Sequence, residues 1–248
     1  MDDSISLLPT YVDGLDQALG GGIPRGSTVV VAGTPGTLKT SLVFNILYHN
    51  SRYGLKALYL TLEQSAENLK AAMKRFGLDD FNESQIYIVD ISALRLELNA
   101  KEVDRKWMDI LTEIIKEAVN INHYELLALD SLDALYSLMG LQNPRRELFH
   151  FFRVLKEIGL TTFLISEVPF GSRTITQYGE DFLADGILHL QHVELSECEV
   201  ELRLRCMKMR MMKHEPTYHT LVHDGRRFSA IRPASNRPPP ERQILLNP

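Results

Sequence analysis

Short runs of apolar residues alternate with longer stretches in which apolar residues recur three or four positions apart, and this pattern covers the first two thirds of the chain. Five runs have the length and β-branched content of buried strands, at residues 27–32, 57–62, 86–90, 126–130 and 161–166. The stretches that follow them have the spacing of amphipathic helices. Strands separated by helices predict an α/β fold, with a mostly parallel sheet and helices on both of its faces.

Beyond Pro169 the pattern changes to consecutive strands without helices between them. The predicted strands lie at residues 187–194, 198–210, 218–222 and 228–231, with polar turns between them. In the second of these strands charged residues alternate with apolar ones from Glu199 to Cys206, which predicts one solvent-facing side and one buried side. We expect these C-terminal strands to extend the sheet with antiparallel pairing.

The composition fits one globular domain. A length of 248 residues with 44% hydrophobic residues is enough for a full α/β core. We predict that this domain covers residues 1–233. The proline-rich residues 234–248 are predicted to form a tail that does not fold alone.

Charge, cysteines and the N-terminus argue against several classes of protein. The chain has 27 Lys and Arg residues against 32 Asp and Glu residues, a net charge of -5 that disfavours nonspecific DNA binding. Its two cysteines have neither disulfide-framework nor zinc-ligand spacing. No basic segment precedes an apolar run at the N-terminus, and the most apolar stretch, residues 126–141, is too short to span a bilayer. We therefore expect a cytoplasmic protein without membrane contact.

The residues after the first buried strand match a phosphate-binding loop with one departure. The segment Gly33-Thr-Pro-Gly-Thr-Leu-Lys-Thr40 fits G-x-x-x-x-G-K-[ST], except that Leu38 replaces the second glycine. A position between a buried strand and a helix suits such a loop, because backbone amides and the positive helix end converge on an anion. The alternative is an ordinary turn with a surface lysine. The residues predicted to contact the nucleotide are Gly33, Thr34, Pro35, Gly36, Thr37, Leu38, Lys39, Thr40 and Ser41.

Other residues complete the predicted chemistry. Lys39 would contact the β- and γ-phosphates of ATP, and Thr40 would offer its hydroxyl to Mg²⁺. Asp130, at the end of a buried strand, is the predicted carboxylate on the magnesium side. Many ATPases with a phosphate-binding loop have a glutamate directly after this aspartate, where the chain has Ser131. We therefore predict that Glu63, at the end of another strand, orients the attacking water. For both acids, capping of the following helix is the alternative.

Taken in order, these residues resemble the KaiC-like branch of the RecA-type ATPases. The resemblance rests on Gly14-Leu-Asp16, Gly21–Gly26, the phosphate loop, Tyr59–Glu63, Asp130-Ser131, Gln177–Glu180, Ala184–Ile187, Lys208-Met-Arg210 and His214. It implies a RecA-like three-layer P-loop fold with ATP and Mg²⁺ as ligands. It also implies self-association, with a homo-hexameric ring or a stack as the expected assembly.

The resemblance implies further roles at two places. In this family a Lys-x-Arg sequence on a late strand reaches the nucleotide of the neighbouring subunit, and Lys208 and Arg210 match it. The alternative is a strand edge defended by charge. Of the family's two adjacent glutamates only Glu63 is retained, since Gln64 follows it. With Leu38 in the loop and Gln64 in place of the second acid, we expect slow ATP hydrolysis.

Two other functions stay open at this point. One is a nucleotide-sensing pseudo-ATPase that acts through protein partners in signalling and does not turn over ATP. The other is a RecA-paralogue accessory of DNA repair that binds DNA through residues 170–177. That segment has one cation, Arg173, and one aromatic residue, far fewer than a groove for single-stranded DNA requires, so DNA binding is disfavoured but not excluded.

Overall fold

A ten-stranded sheet forms the centre of the part of the chain that the structure describes. The computed structural model describes residues 5–93, 107–138, 143–172 and 174–233. Its strands are β1 (Leu7–Leu8), β2 (Val12–Asp13), β3 (Ile23–Pro24), β4 (Thr28–Gly33), β5 (Ala57–Thr61), β6 (Ile86–Asp90), β7 (Leu126–Asp130), β8 (Thr161–Glu167), β9 (Gly186–Ser196), β10 (Glu199–Met209), β11 (His219–His223) and β12 (Phe228–Ile231). The large sheet has the order β2-β12-β11-β10-β9-β4-β8-β7-β5-β6, while β1 pairs with β3.

Helices cover both faces of this sheet. The helices are α1 (Leu15–Ala18), α2 (Lys39–Arg52), α3 (Ala66–Lys74), α4 (Trp107–Asn122), α5 (Leu132–Leu138), α6 (Pro144–Ile158) and α7 (Glu180–Leu183). Apolar side chains of α2 and α3 share one buried cluster with one face of the strands, and those of α4, α5 and α6 share a second cluster with the other face. The result is the three-layer architecture that the sequence predicts.

The two kinds of strand pairing occur where the hydrophobic pattern predicts them. The neighbours β9, β4, β8, β7, β5 and β6 pair in parallel. The pairs from β9 to β12 are antiparallel. The strand β4 lies in the middle with all six residues buried, which explains its continuous apolar sequence. Ligands of open α/β sheets bind at the carboxyl ends of such strands.

The predicted alternation along β10 is only partly correct. Leu204 and Cys206 are buried, as expected. Val200, however, is 60% exposed, because residues 194–200 at the far end of the β9/β10 hairpin are exposed on both faces. On the charged side, Glu201 and Arg203 are largely buried because they form an ion pair with each other. The sequence pattern identifies the strand correctly but not how far its neighbours cover it.

The short elements and the residues outside the described ranges differ from the rest of the fold in how far the predictions reach them. The short elements β1, β2, β3 and α1 are absent from the predicted pattern, because two to four residues show no periodicity. The predicted tail at 234–248 and the cation Arg173 lie outside the described residues. The domain boundary at residue 233 stays a prediction. None of the helices within the described ranges is long and apolar enough to cross a membrane.

Candidate functional site

The turn between β4 and α2 holds the segment whose sequence matches a phosphate-binding loop. Gly33 leaves no room for a side chain, because a Cβ there would lie 2.4 Å from the Leu190 carbonyl oxygen. Leu38 has φ 62° and ψ 24°, in the left-handed region that glycine favours. Leu38 therefore has a backbone conformation that a glycine at this position would adopt without strain. The Thr37 hydroxyl donates to the Thr34 carbonyl at 2.7 Å and braces the turn.

Lys39 lies at the start of α2 with its ammonium turned back over this loop. Its Nζ donates to the carbonyl oxygens of Gly33 at 2.9 Å and Thr34 at 3.0 Å. Burial lowers the pKa of Lys39, and the negative charges of Glu167 and Asp130 oppose that shift. The side chain is buried apart from 7% of the residue surface, so its charge acts where water screens it weakly.

Asp130, the last residue of β7, accepts two hydroxyl hydrogen bonds on one oxygen. Thr40 Oγ1 donates to Oδ2 at 2.8 Å, and the fully buried Tyr59 hydroxyl donates to the same atom at 2.7 Å. Burial raises the pKa of Asp130, while these two hydrogen bonds lower it. A hydroxyl and a carboxylate in contact are hard oxygen donors of the kind that Mg²⁺ prefers.

The small number of protein ligands at this site also suits magnesium. Across the described ranges, no group of three or more His, Cys, Asp or Glu side chains is arranged to hold a metal ion. Magnesium is usually bound by one or two protein groups, with phosphate oxygens and waters as its other ligands. The pair Thr40 and Asp130 fits that mode.

A cleft of about 240 Å³ opens between the loop and the ends of β5, β7 and β8. It is lined by Gly36, Thr37, Leu38, Lys39, Thr40, Glu63, Asp130, Ser131, Ile165 and Glu167. The volume is below the roughly 300–1,000 Å³ of pockets that enclose whole small ligands. The cleft has room for a phosphate chain, while the remainder of a nucleotide would extend beyond it.

Two glutamates face this cleft. Glu63 accepts a hydrogen bond from the Ser131 hydroxyl, so the side chain that follows Asp130 holds the predicted base. Glu167 ends β8, and its backbone N–H donates to Asp133 Oδ2 at 2.6 Å. Burial, together with the charge of Glu63, raises the pKa of Glu167.

Sequence reasoning missed Tyr59 and Glu167 as residues of the site. On β8 it is Ile165 and Glu167 that line the cleft, whereas Ser166, between them, hydrogen-bonds Asp133. Side chains alternate along β8, so a shift of one position changes the face. The available signals were a tyrosine in an otherwise apolar strand and an acid one residue past a predicted strand end.

Lys208 and Arg210 lie at the opposite end of β4 from the loop. They follow the register of β10, where Lys208 lies opposite Ile187 and Met209 opposite Gly186, and Gly186 in turn pairs with Val29 near the start of β4. Five residue steps of about 3.3 Å separate the two ends of β4, roughly 16 Å. The structure therefore brings Lys39, Thr40, Glu63 and Asp130 together and leaves Lys208 and Arg210 apart from them.

The sequence of the chain matches a known protein family. Residues 8–224 match the family model described as the KaiC ATPase. The chain belongs to the KaiC ATPase family. The family resemblance that the motifs predicted is confirmed.

Two known proteins that are similar to the chain differ in how much of their length it matches. A UPF0273 protein of Aeropyrum pernix is 30% identical over 228 residues, which are 87% of this chain and 89% of that protein. The circadian clock oscillator protein KaiC of Rippkaea orientalis is also 30% identical over 228 residues, which are 87% of this chain but 42% of the clock protein. The match thus covers less than half of the clock protein.

A solved structure supports the fold. The KaiC-like protein of Pyrococcus horikoshii superimposes with a TM-score of 0.79 at 24% identity, covering 92% of this chain and 100% of that one. This likeness confirms the predicted α/β fold with its mostly parallel sheet and antiparallel C-terminal strands.

Proposed function

We propose that the protein binds MgATP in this cleft and hydrolyses it slowly within a ring or stack of identical subunits. The observation that supports this most directly is the contact of Thr40 with Asp130 beside a turn in which Leu38 has the left-handed backbone conformation. A capping carboxylate would not need a hydroxyl partner from the phosphate loop. Membership of the KaiC ATPase family agrees with the proposal.

Each residue of the cleft has a distinct part in the proposed reaction. The loop amides and Lys39 hold the β- and γ-phosphates in place. Thr40 and Asp130 hold Mg²⁺, which, when bound, neutralises charge on the phosphate oxygens. Glu63 orients the attacking water and accepts its proton, and Ser131 fixes the direction of the Glu63 carboxylate.

The charge of the cleft supports a contribution from a second subunit. Among the described residues that line it, Lys39 is the only Lys or Arg, whereas Glu63, Asp130 and Glu167 are acidic. One lysine and a magnesium ion leave the triphosphate under-compensated. Lys208 and Arg210 cannot serve their own cleft from the far end of β4, so we assign them to the nucleotide of the neighbouring subunit.

The proposed rate is slow for two reasons visible at the site. Leu38 adds a side chain where phosphates approach the backbone, and Gln64 removes a second acid near Glu63. ATP hydrolysis far below the 1–100 per second that is typical of kinases is therefore expected.

The test is steady-state ATP hydrolysis and calorimetric ATP binding for the wild type, Lys39→Ala and Arg210→Ala over a range of protein concentrations. Activity per subunit should rise with concentration, because complete sites form only on assembly. Lys39→Ala should lose binding, while Arg210→Ala should bind ATP and lose hydrolysis by about 10³-fold or more. The matched control is Arg153→Gln, an exposed arginine that pairs with Glu157 on α6.

Two results would contradict the proposal. Full activity of Arg210→Ala would exclude the proposed role of Arg210 at the nucleotide of the neighbouring subunit. Unchanged ATP binding by Lys39→Ala would exclude the proposed phosphate site. Wild-type protein that binds ATP in an assembled state but releases no phosphate in a single-turnover assay would instead favour a nucleotide-sensing protein.

A further inference from the structure

A buried carboxylate joins two cations at the end of the sheet that lies away from the cleft. The Asp185 side chain is only 6% exposed. Its Oδ1 accepts from Lys156 Nζ at 2.7 Å and from Arg210 Nη1 at 3.3 Å. Its Oδ2 accepts from the Thr28 backbone N–H at 3.2 Å. All of its partners are therefore donors, and two of them are charged.

The turn that contains Asp185 also holds both cations of the Lys-x-Arg sequence. Lys208 Nζ donates to the carbonyl oxygens of Asp181 and Ala184, each at 2.7 Å. Arg210 Nη2 donates to the Phe182 carbonyl at 3.0 Å, and its backbone N–H donates to the Asp185 carbonyl at 2.8 Å. The direction in which this chain presents Lys208 and Arg210 is thus set by residues 181–185.

Asp185 connects this turn to the rigid centre of the fold. Thr28 is the first residue of β4, and the Asp185 N–H donates to the Thr28 carbonyl at 2.8 Å while its side chain accepts from the Thr28 N–H. A charged group held on a buried central strand is positioned more accurately than one on a free loop.

Lys156, on α6, changes the charge balance of this group. Asp185 accepts from Lys156 and Arg210, and its charge acts on Lys208 together with that of Asp181, so three cations face two carboxylates. The shorter contact of Asp185 is with Lys156 rather than with Arg210. Without Lys156, the full negative charge of Asp185 would act on Arg210 and offset the charge that Arg210 presents outward.

We propose that Asp185 and Lys156 are positioning residues for Arg210. Asp185 sets the direction of the Arg210 side chain. Lys156 neutralises Asp185, so that Asp185 does not offset the positive charge that Arg210 presents to the nucleotide of the next subunit. This inference rests on the proposed function. Neither residue contacts its own cleft, so their effect on hydrolysis passes through the subunit that they face.

The variant that tests the inference with least risk to folding is Lys156→Met, because the Lys156 side chain is 55% exposed. It should lower kcat by roughly ten- to a hundredfold and leave KM for ATP and the calorimetric Kd within about twofold. Lys156→Arg should restore most of kcat, since it returns the charge. Arg153→Gln, one turn earlier on the same helix and paired with Glu157, is the matched control and should behave as the wild type. Wild-type kcat in Lys156→Met would overturn the inference.

Mixed assemblies separate an effect on the neighbour from an effect within the subunit. Lys156→Met subunits have an intact cleft, and Lys39→Ala subunits have intact cations. Co-expressed in equal amounts with different tags, they should form mixed assemblies that recover about a quarter of wild-type activity, because one interface in four joins both intact halves. Asp185→Asn, checked for a wild-type melting temperature, should show the same recovery.

Mixing the Arg210→Ala variant with Lys39→Ala separates the inference about Lys156 and Asp185 from the proposed function. Recovery with Arg210→Ala but not with Lys156→Met would overturn the inference and leave the proposed function intact. No recovery with either variant, in assemblies shown to contain both subunits, would overturn the proposed contribution in trans and the inference with it.

Discussion

Replacement of Tyr59 by phenylalanine tests the central hydrogen bond of the site. Tyr59 is fully buried, and its hydroxyl donates to Asp130 Oδ2 at 2.7 Å. Phenylalanine keeps the ring and removes only this donor, so Asp130 retains Thr40 as its hydroxyl partner. A hydrogen bond to a charged acceptor contributes about 1.5–3 kcal/mol, and we expect the free energy of unfolding at neutral pH to fall by about that amount.

The loss should depend on pH, with a sign that follows from Asp130. Burial raises the folded-state pKa of Asp130 above its ordinary value of 3.8. The folded state then binds a proton more tightly than the unfolded chain, so the contribution of Asp130 to stability declines as the pH rises through that interval. Removing the Tyr59 hydroxyl raises the pKa further. The destabilisation should therefore be larger at neutral pH, where Asp130 is ionised, than at a pH below its folded pKa.

Urea unfolding of the wild type and Tyr59→Phe at both pH values measures this difference. Tyr87→Phe, on the adjacent strand β6, is the matched control, because this residue is 44% exposed and the loss of its hydroxyl should change stability by less than about 0.5 kcal/mol. An equal loss of unfolding free energy at both pH values, or a loss no larger than that of the control, would refute the interpretation that Tyr59 donates to an ionised Asp130.

Three further predictions concern one buried hydrogen bond outside the cleft and two residues of the cleft. Tyr136→Phe removes a hydroxyl that donates to the fully buried Glu180, and should cost about 1–3 kcal/mol in urea unfolding, against little for Tyr178→Phe. Thr40→Val should abolish the magnesium-dependent part of the calorimetric heat of ATP binding, and Thr40→Ser should retain it. Because burial lowers the pKa of Lys39 below 10.5, ATP affinity should begin to fall with rising pH before a free lysine would titrate; calorimetry through the alkaline range checks this.

The strands that position the site were the easiest part of the fold to predict. Buried parallel strands have continuous apolar sequences, and for this reason the predicted and observed ends of β7 coincide at Leu126 and Asp130. Helix starts were also predictable where a capping residue is present. Asn143 caps α6 by accepting from the Arg146 N–H at 3.3 Å, with Pro144 in the first turn.

The parts that were not predicted depend on which segments meet in space. A single sequence shows that β10 alternates, but not that the described residues leave both faces of residues 194–200 exposed. The sequence also shows an acid at Glu167. It does not show which face of the sheet this side chain lies on, because a shift of β8 by one residue would turn it to the opposite face. Lys156 had no motif to distinguish it, and its relation to Asp185 follows only from the position of α6 beside the start of β9.

The distribution of charge along β4 explains why the two halves of the proposed site need two subunits. At the carboxyl end, Lys39 faces three acidic side chains, Glu63, Asp130 and Glu167. At the amino end, the three cations Lys156, Lys208 and Arg210 face the two carboxylates Asp181 and Asp185. The two ends have opposite excess charge and lie roughly 16 Å apart along β4, so the cations at one end do not contact the acids at the other within one subunit. Contact between the cation end of one copy and the nucleotide-loaded cleft of another would compensate both, and assembly should therefore strengthen with ATP and weaken with salt.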